Sequence, residues 1–376
     1  MKRRTYLAAT GTAFAGLAGC LGNSDDSGSS GDSESTSSTG GKSAKTTSQT
    51  QLSGTLNVAT YSALVDAPST SPGAWLKKEF EKKYPKATLK WQTPDSEVNY
   101  YIQRKAQHVD IDADVYVGLN VDQLITIDQK LGGTKLFTPV TDSLSNYGHV
   151  KKSLNFDPKG RAVPYDTGYV SLVYDETKVD NPGSFDALTK PKFKGTLLTE
   201  NAQQAATGRA FLLWTIHEMG EKKYLDYWSR LSNNDTQILG SWDAAYTAYS
   251  NGERPIVVSY STDQVYAHRE GQNMKKHQIG FLNGQGYANP EGMAKFADTD
   301  SPKLADAFLD FMLSKKAQSK IAQLNVAFPS TDWADLGKEF DKYAKEPDEP
   351  ITYSYDQLKG NLEGWVDEWA RQIASK

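Results

Sequence analysis

Apolar residues in the first half of the chain follow two spacings, one typical of β-strands and one typical of amphipathic helices. Runs rich in apolar residues at 56–60, 87–91 and 113–119 predict strands. Stretches with helical spacing at 72–84 and 98–107 predict the helices between them. Strands that alternate with helices are typical of an α/β fold with a largely parallel sheet. The pattern therefore predicts a βαβ series in this part of the protein.

A second series of the same kind follows further along the chain. An extended stretch at 195–199 predicts its first strand, and the apolar run at 255–260 predicts its last. Helical spacing at 208–219 and 224–231 predicts two helices between these strands. Two α/β lobes are expected, because the body of the chain is longer than one compact domain usually is.

Two long extended stretches connect the two series and are expected to form a two-segment hinge. They cover 163–174 and 280–296. We expect lobe 1 to comprise 53–167 and 281–376, and lobe 2 to comprise 168–280. Ligands of open α/β sheets bind at the carboxyl ends of the strands, so the cleft between the lobes is the predicted binding site.

The last part of the chain contains three predicted helices. Helical spacing is found at 301–313, at 317–323 and from Tyr355 onward. In the last helix, apolar side chains recur at intervals of four, three, four and four residues: Leu358, Leu362, Trp365, Trp369 and Ile373. A stripe of this kind docks a helix on a core, so both tryptophans are predicted to be core residues.

The first 20 residues form a predicted export signal. Basic residues at 2–4 precede an apolar run at 6–17. The adjacent arginines fit a twin-arginine signal, and the general secretory route is the alternative. Residues 17–20, Leu-Ala-Gly-Cys, resemble the lipobox of prokaryotic lipoproteins, which implies that Cys20 is lipidated and becomes the mature N-terminus.

The segment that follows the signal is predicted to be a disordered linker. Residues 21–52 are mostly Ser, Gly, Thr, Asp and Lys, a composition too polar to bury a core. No later segment reaches the roughly 18 consecutive apolar residues that a membrane span needs. We therefore expect an exported body that the N-terminal lipid alone holds at the outer face of the cell membrane.

Composition and missing motifs argue against several other functions. The net charge is −4 and no basic stripe is present, which argues against nucleic acid as a partner. Cys20 is the only cysteine, so a single chain has no disulfide and no cysteine-based metal site. No GxSxG or HExxH motif occurs, which disfavours a hydrolase. We expect a binding protein and no enzyme, with no cofactor and no metal site, which acts as a monomer.

Several short motifs follow one another in an order that carries a family resemblance. They are Val-Pro-Tyr-Asp-Thr-Gly-Tyr at 163–169 with Val-Tyr-Asp at 173–175, Leu-Leu-Trp at 212–214, Gly-Ser-Trp-Asp-Ala-Ala-Tyr at 240–246, and Val-Ser-Tyr-Ser-Thr at 258–262 followed by Tyr266. Together they resemble the periplasmic thiamine-binding proteins of bacterial ABC transporters. The resemblance implies an α/β periplasmic-binding-protein fold of type II with two lobes. It also implies thiamine or its phosphates as ligand, and an ABC permease with its ATPase as partners.

The resemblance also implies which residues contact the ligand. They are Tyr61, Asp95, Ser96, Ala205, Ala206, Thr207, Trp242, Tyr260, Ser261, Thr262, Asp263 and Tyr266. Thiamine joins a flat aminopyrimidine to a permanently cationic thiazolium, so its receptor needs aromatic faces, a nearby carboxylate and hydrogen-bond donors for the tail. The chemistry of Trp242, Tyr260 and Asp263 agrees with that requirement.

Some of these residues have an equally simple structural explanation. Trp242 opens a short predicted helix with Ser241 as its cap, and its ring either contacts ligand or packs on Tyr246 one turn later. Asp95 and Ser96 suit a solvated surface turn as well as a binding site. The segment Tyr260 to Asp263 also suits a turn.

Two departures from the family pattern concern the ligand. Ala205 and Ala206 replace hydroxyl residues at a helix start, where backbone N–H groups can still hold an anion. A tryptophan that helps to close the site in the family aligns near Val326 and Phe328. The alternative ligands for the same fold are ferric iron, to which paired tyrosines would bind, or a polyamine.

Overall fold

One mixed β-sheet organises the part of the protein that the computed structural model describes, residues 52–67 and 70–374. Its strands are β1 (Ser53–Ala59), β2 (Lys86–Gln92), β3 (Val115–Leu119), β4 (Phe137–Thr138), β5 (Ala162–Tyr174), β6 (Leu197–Glu200), β7 (Gln237–Leu239), β8 (Ile256–Tyr260), β9 (Gln278–Gly280), β10 (Gln285–Phe296), β11 (Phe328–Pro329) and β12 (Glu349–Ile351). The main path through the sheet is β2-β1-β3-β10-β5-β8-β6-β7.

Helices cover the sheet and connect its strands. They are α1 (Ser62–Asp66), α2 (Gly73–Lys83), α3 (Val98–Ala106), α4 (Val121–Leu131), α5 (Ala206–Met219), α6 (Tyr224–Asn233), α7 (Trp242–Ser250), α8 (Asp263–Arg269), α9 (Pro302–Met312), α10 (Lys315–Asn325), α11 (Gly337–Tyr343), α12 (Tyr355–Leu358) and α13 (Leu362–Ala374). The described chain therefore has the α/β character that the apolar pattern predicts.

The prediction of a largely parallel sheet is correct only for the strands on the two flanks of the sheet. Strand β1 pairs in parallel with β2 and β3, and β6 pairs in parallel with β7 and β8. The long central strands β5 and β10 run antiparallel to each other, and to β8 and β3 respectively. A buried strand has the same apolar pattern in either direction, so only its tertiary connection decides its orientation.

The central pair β5 and β10 separates the strands of the two α/β series. Strands β1, β2 and β3 lie on one side of the pair, and β6, β7 and β8 lie on the other. Both long strands thus lie between the two sides, and their role as hinge segments stays a prediction. The described residues belong to one compact unit, and the boundaries expected for the two lobes stay a prediction.

The C-terminal region differs from the single last helix that its apolar stripe predicts. Helix α12 ends at Leu358, and α13 starts at Leu362. Between them Gly360 has a φ of 85°, a left-handed conformation that favours glycine and ends the helix. The predicted core role of Trp365 and Trp369 is confirmed, because both are buried and Trp369 packs edge-on against Trp228 with ring centroids 5.3 Å apart.

The fold brings several chain segments to the carboxyl ends of the parallel strands. Tyr61 follows β1, Glu200 ends β6, and Tyr260 ends β8. Within the described ranges, no helix is both long and apolar enough to cross a membrane. The predicted signal at 1–20, the lipidated Cys20 and the linker up to residue 51 lie outside the described residues.

Candidate ligand-binding site

A cavity of about 490 Å³ lies between the central strands and the carboxyl ends of β1 and β8. Its volume is within the range of about 300–1,000 Å³ that is usual for small-molecule sites. Five of its lining residues are aromatic: Tyr61, Trp242, Tyr246, Tyr260 and Tyr266. Aromatic side chains offer flat apolar faces together with hydroxyl or indole donors. The cavity is therefore suited to a planar guest.

Two of these tyrosine rings lie directly on glycine backbone. A Cβ added at Gly118 would lie 2.5 Å from Cδ1 of Tyr61, and a Cβ added at Gly168 would lie 2.6 Å from Cδ1 of Tyr260. Distances this short exclude a side chain at either position without displacement of the ring. Gly118 lies in β3 and Gly168 in β5, so strands of the sheet set the position of both rings.

Helix α7 positions Trp242 at its first residue. The hydroxyl of Ser241 accepts a hydrogen bond from the backbone N–H of Ala244, which confirms the predicted N-cap. The indole Nε1 of Trp242 donates to Oγ of Ser259 at 3.0 Å, and its ring stacks on Tyr246 with centroids 5.0 Å apart. The packing on Tyr246 is confirmed, and contact of the ring with a ligand stays a prediction for a residue that lines the cavity.

Asp263 is held at the cavity wall by a buried hydrogen-bond network. The hydroxyl of Tyr246 donates to Oδ1 of Asp263, and Nδ1 of His277 lies 2.7 Å from Oδ2. Asp263 and His277 are each only 6% exposed. Burial, and then the charge of Asp263, raise the pKa of Tyr246 well above its usual range, so its phenol stays protonated as a donor.

Asp166 and Glu291 lie at the base of the cavity on the two central strands. Asn325 donates to Oδ2 of Asp166 at 2.8 Å, and the hydroxyl of Tyr165 donates to Oε2 of Glu291 at 2.7 Å. Asp166 is 1% exposed. Burial, and then the nearby charge of Glu291, raise the pKa of Asp166 well above its usual value. Burial also raises the pKa of Glu291, although the hydroxyls of Tyr165 and Tyr61 oppose this shift.

The charged lining of the cavity has one sign. Five carboxyl groups contribute to it: Asp166, Asp243, Asp263, Glu270 and Glu291. None of the described lining residues is Lys, Arg or His. A cavity lined by one sign of charge raises the local concentration of the opposite charge. This lining favours a cationic guest and offers no cation to pair with an anionic one.

Comparison with known proteins agrees with this geometry. Residues 113–361, more than half of the chain, match the model of the family described as bacterial extracellular solute-binding protein. The chain belongs to that family. Membership of a family of binding proteins confirms the prediction that the chain is not an enzyme.

Individual relatives of this solute-binding protein are known from sequence and from structure. A thiamine-binding periplasmic protein of Salmonella typhimurium is 28% identical over 85% of this chain and 93% of its own length. A protein of the same description from Brucella suis is 27% identical over 85% and 92% of the respective lengths. Each is a distant relative that aligns over nearly its whole length.

Solved structures show the same fold. A periplasmic thiamin binding protein superposes with a TM-score of 0.71 at 24% identity, over 85% of this chain and 96% of its own. The apo ferric ion-binding protein A of Pasteurella haemolytica superposes with a TM-score of 0.67 at 16% identity, over 85% and 98%. These likenesses confirm the predicted α/β periplasmic-binding-protein fold of the solute-binding protein.

The structure brings about half of the predicted contact residues together. Those that line the cavity are Tyr61, Trp242, Tyr260, Thr262, Asp263 and Tyr266. Ser261 lies between two of them but is fully buried, and its hydroxyl has no hydrogen-bond partner in the described part of the chain. The aromatic and acidic wall that the resemblance implies is therefore present in one place.

The remaining predicted residues lie elsewhere. Asp95 and Ser96 are in an exposed turn between β2 and α3 and do not line the cavity. Ala205, Ala206 and Thr207 form the start of α5, also outside the lining. Contact of these residues with a ligand stays a prediction, and none of them lines the cavity.

The N-terminus of α5 has an acidic neighbour that bears on the predicted anion site. The side chain of Glu200 is fully buried where β6 ends. Burial raises its pKa from 4.5 to about 8, and neither carboxyl oxygen has a hydrogen-bond partner among the described residues. The carboxyl group is therefore mostly protonated at pH 7, and only its ionised form at higher pH would repel a phosphate at the helix start.

Several cavity residues were not predicted from the sequence. Asp166, Tyr246 and Glu291 are the most consequential of them. Asp166 and Tyr246 lie inside two of the motifs that carry the family resemblance, so a signal for them was present. Glu291 had no local signal, because only strand pairing places it opposite Asp166.

Proposed function

We propose that this solute-binding protein captures thiamine in the cavity and delivers it to a membrane permease of an ABC transporter. The observation that carries the proposal is the lining itself, with its aromatic side chains and carboxyl groups and no cationic side chain among the described lining residues. A planar cation gains both ring stacking and electrostatic attraction in such a cavity. The names of the curated relatives support the same ligand.

The charge of the lining also bears on which form of the vitamin binds. A phosphate group is usually held by Arg, Lys or a helix N-terminus. The described lining has no Lys or Arg, and the start of α5 lies outside it. We therefore propose that unphosphorylated thiamine binds more tightly than thiamine pyrophosphate.

Isothermal titration calorimetry with four ligands tests this proposal. Thiamine should bind at one saturable site, thiamine pyrophosphate more weakly, and ferric citrate and spermidine weakly or not at all. Ferric citrate is included because Tyr260 and Tyr266 both line the cavity, and spermidine because it is a flexible cation. If only ferric citrate or only spermidine gives heat of binding, the proposed ligand is wrong and that compound takes its place.

Replacement of Trp242 tests the stacking part of the proposal. Trp242→Ala should weaken thiamine binding by about 1–2 kcal/mol, because a cation over an indole face is lost. Trp333→Ala is the matched control, since Trp333 stacks on His149 and is not among the cavity lining residues. Equal affinities of wild type and Trp242→Ala would exclude contact between this ring and the ligand.

The cellular location is a separate part of the proposal. We propose that the protein is exported and anchored by a lipid on Cys20, which lies outside the described residues. Mass spectrometry of the membrane fraction should find a diacylglycerol adduct on wild type and none on Cys20→Ser. An unmodified N-terminus on wild type would show that the protein is free of the membrane anchor.

A further inference from the structure

Asp166 and Glu291 face each other across the two central strands. They are direct partners in the antiparallel pairing of β5 with β10, and the register shifts between Glu291 and Gly292. Side chains of directly opposed residues in such a pair have Cβ atoms about 5 Å apart, and like charges there are destabilising. Asp166 is buried and Glu291 partly buried, and two carboxyl groups opposed in such a place tend to share one proton between them.

Among the described residues, the groups around this pair do not include a cation that would allow both carboxyl groups to ionise. The titratable groups that face the pair come from several elements: Tyr61 after β1, Glu97 before α3, Tyr116 on β3, Tyr165 on β5 and Tyr260 on β8. Asn325, at the end of α10, adds a neutral amide. The nearby phenols donate hydrogen bonds but carry no positive charge, and Glu97 adds a further negative one. A cation bound in the cavity would supply the positive charge that the surroundings of the pair lack.

A hydrogen-bonded frame holds the pair in position toward the cavity. Nδ2 of Asn325 donates both to Asp166 and, at 3.3 Å, to the hydroxyl of Tyr61. The hydroxyl of Tyr61 lies 3.2 Å from that of Tyr165, which in turn donates to Glu291. The frame links both carboxyl groups to Tyr61, an aromatic wall residue of the same cavity. A guest that stacks on Tyr61 is therefore close to the pair.

We infer that Asp166 and Glu291 determine the specificity of the cavity for a cation with N–H donors by holding one shared proton in the empty protein and releasing it when such a ligand binds. The O–H bond of the shared proton breaks, and the proton passes to solvent. The single positive charge of the ligand then offsets one carboxylate charge, and its N–H groups donate hydrogen bonds to the carboxylate oxygens in place of the released proton. No other bond forms or breaks. The inference rests on the proposed binding of thiamine in this cavity.

Proton counting by calorimetry tests the inference. Titration of thiamine at pH 7, in several buffers that differ in enthalpy of ionisation, gives the number of protons released for each ligand bound. We expect about one proton for the wild type. We also expect the association constant to rise up to about tenfold for each pH unit between pH 6 and 7, since a shared proton competes with the ligand. Binding without proton release would overturn the inference and leave the proposed function standing.

Substitutions of Asp166 and Glu291 test whether the released proton comes from this pair. Asp166→Asn and Glu291→Gln should each lower the number of released protons and weaken the pH dependence, because the repulsion between two carboxyl groups is gone and only burial still favours a protonated group. Asp243→Asn is the matched control, an exposed carboxyl group at the cavity wall. Its loss should weaken binding of the cation but leave the proton count unchanged. An unchanged count in Asp166→Asn and in Glu291→Gln would overturn the inference.

A measurement on the empty protein separates the inference from the identity of the ligand. Infrared spectra at pH 7 should contain the carbonyl band of a protonated carboxyl group, and this band should weaken in both Asp166→Asn and Glu291→Gln. If thiamine fails to bind while the band behaves in this way, the proposed ligand is wrong and the proton-sharing pair stands. Identical bands in wild type and in both variants would show that Asp166 and Glu291 do not share a proton.

Discussion

Single residues decide how the aromatic wall is arranged. The ring of Tyr260 covers Gly168, and no side chain fits between them. The ring therefore owes its position to a residue that has no side chain with which to contact a ligand. A substitution at Gly168 changes the position of the Tyr260 ring but leaves the tyrosine itself in place.

Gly168→Ala should lower the affinity for thiamine while Tyr260 is still present. The added Cβ would lie 2.6 Å from Cδ1 of Tyr260 and force the ring to move into the cavity. We expect a loss of at least tenfold in the association constant, measured by calorimetry. Gly148→Ala is the matched control, because nothing lies within 4 Å of its added Cβ. Unchanged binding in Gly168→Ala would mean that the ring shifts without harm to the site.

Glu200 is a second residue whose surroundings lead to a measurable consequence. Its pKa is about 8 in the folded protein, against an ordinary value of 4.5. Folding therefore takes up a proton between these pH values, so the free energy of unfolding decreases as pH rises from about 4.5 to about 8.

Glu200→Gln should remove this loss of stability. We expect the variant to be more stable than wild type by on the order of 1–3 kcal/mol at pH 8, with little difference at pH 4 to 5. Urea unfolding at several pH values measures this. Glu176→Gln, at an exposed position, should show no such dependence. A constant difference between Glu200→Gln and wild type across pH would contradict the raised pKa of Glu200 in the folded protein.

At the scale of elements, a charged cluster ties the start of β5 to two helices. Arg161 donates to Asp128 on α4 at 2.6 Å and to Asp157 at 3.1 Å. Tyr355, the first residue of α12, donates to the same Asp128 carboxylate at 2.6 Å. Partial burial opposes ionisation, but these donors lower the pKa of Asp128 to about 2. The cluster stabilises one end of a strand that lines the cavity.

Asp128→Asn should therefore destabilise the protein at neutral pH. We expect about 1–3 kcal/mol, the usual contribution of hydrogen bonds to a charged group. The carboxylate contributes above its unfolded pKa of 3.8, and this contribution is lost as pH falls toward 2. The difference from wild type in urea unfolding should shrink below pH 4.

The control for this variant is a carboxylate in a solvated ion pair. Asp186 pairs with Lys190, and the two side chains are 70% and 57% exposed. Asp186→Asn should change stability by less than about 1 kcal/mol. An equal effect of both substitutions would mean that the cluster around Arg161 adds nothing beyond a surface ion pair.

At the scale of the whole molecule, strands β5 and β10 cross between the two sides of the sheet and also line the cavity. Gly168 and Asn289 belong to these strands and to the lining. The cavity is lined by side chains from both halves of the chain, such as Tyr61 and Trp242, and the proposed ligand would contact both halves at once. It should therefore favour a closed arrangement, because only that arrangement allows all contacts at once.

Thiamine should make the molecule more compact and more stable. At a ligand concentration of about 100 times Kd, the free energy of unfolding should rise by about 2.7 kcal/mol. Small-angle X-ray scattering should show a smaller radius of gyration with thiamine than without it. At the same ligand concentration, Trp242→Ala should show smaller changes in the free energy of unfolding and in the radius of gyration. An unchanged radius with a raised stability would mean that the ligand binds without closure.

Local sequence patterns were sufficient for most of the secondary structure. Predicted strands such as 56–60 and helices such as 208–219 agree with β1 and α5 to within a few residues. Periodicity also identified Trp365 and Trp369 as core residues. Strands of two or three residues, such as β4 and β7, have no period to detect. They form only where a neighbouring strand offers hydrogen bonds.

The sequence by itself determined the α/β class, the buried faces and, through its motifs, the aromatic half of the candidate site. Only the tertiary structure decided that β5 and β10 run antiparallel, that Asp95 lies in an exposed turn outside the cavity, and that Asp166 faces Glu291. Periodicity records which side of an element is buried, since burial depends on local spacing. Strand direction and the meeting of residues more than a hundred positions apart depend on long-range pairing, which leaves no local pattern.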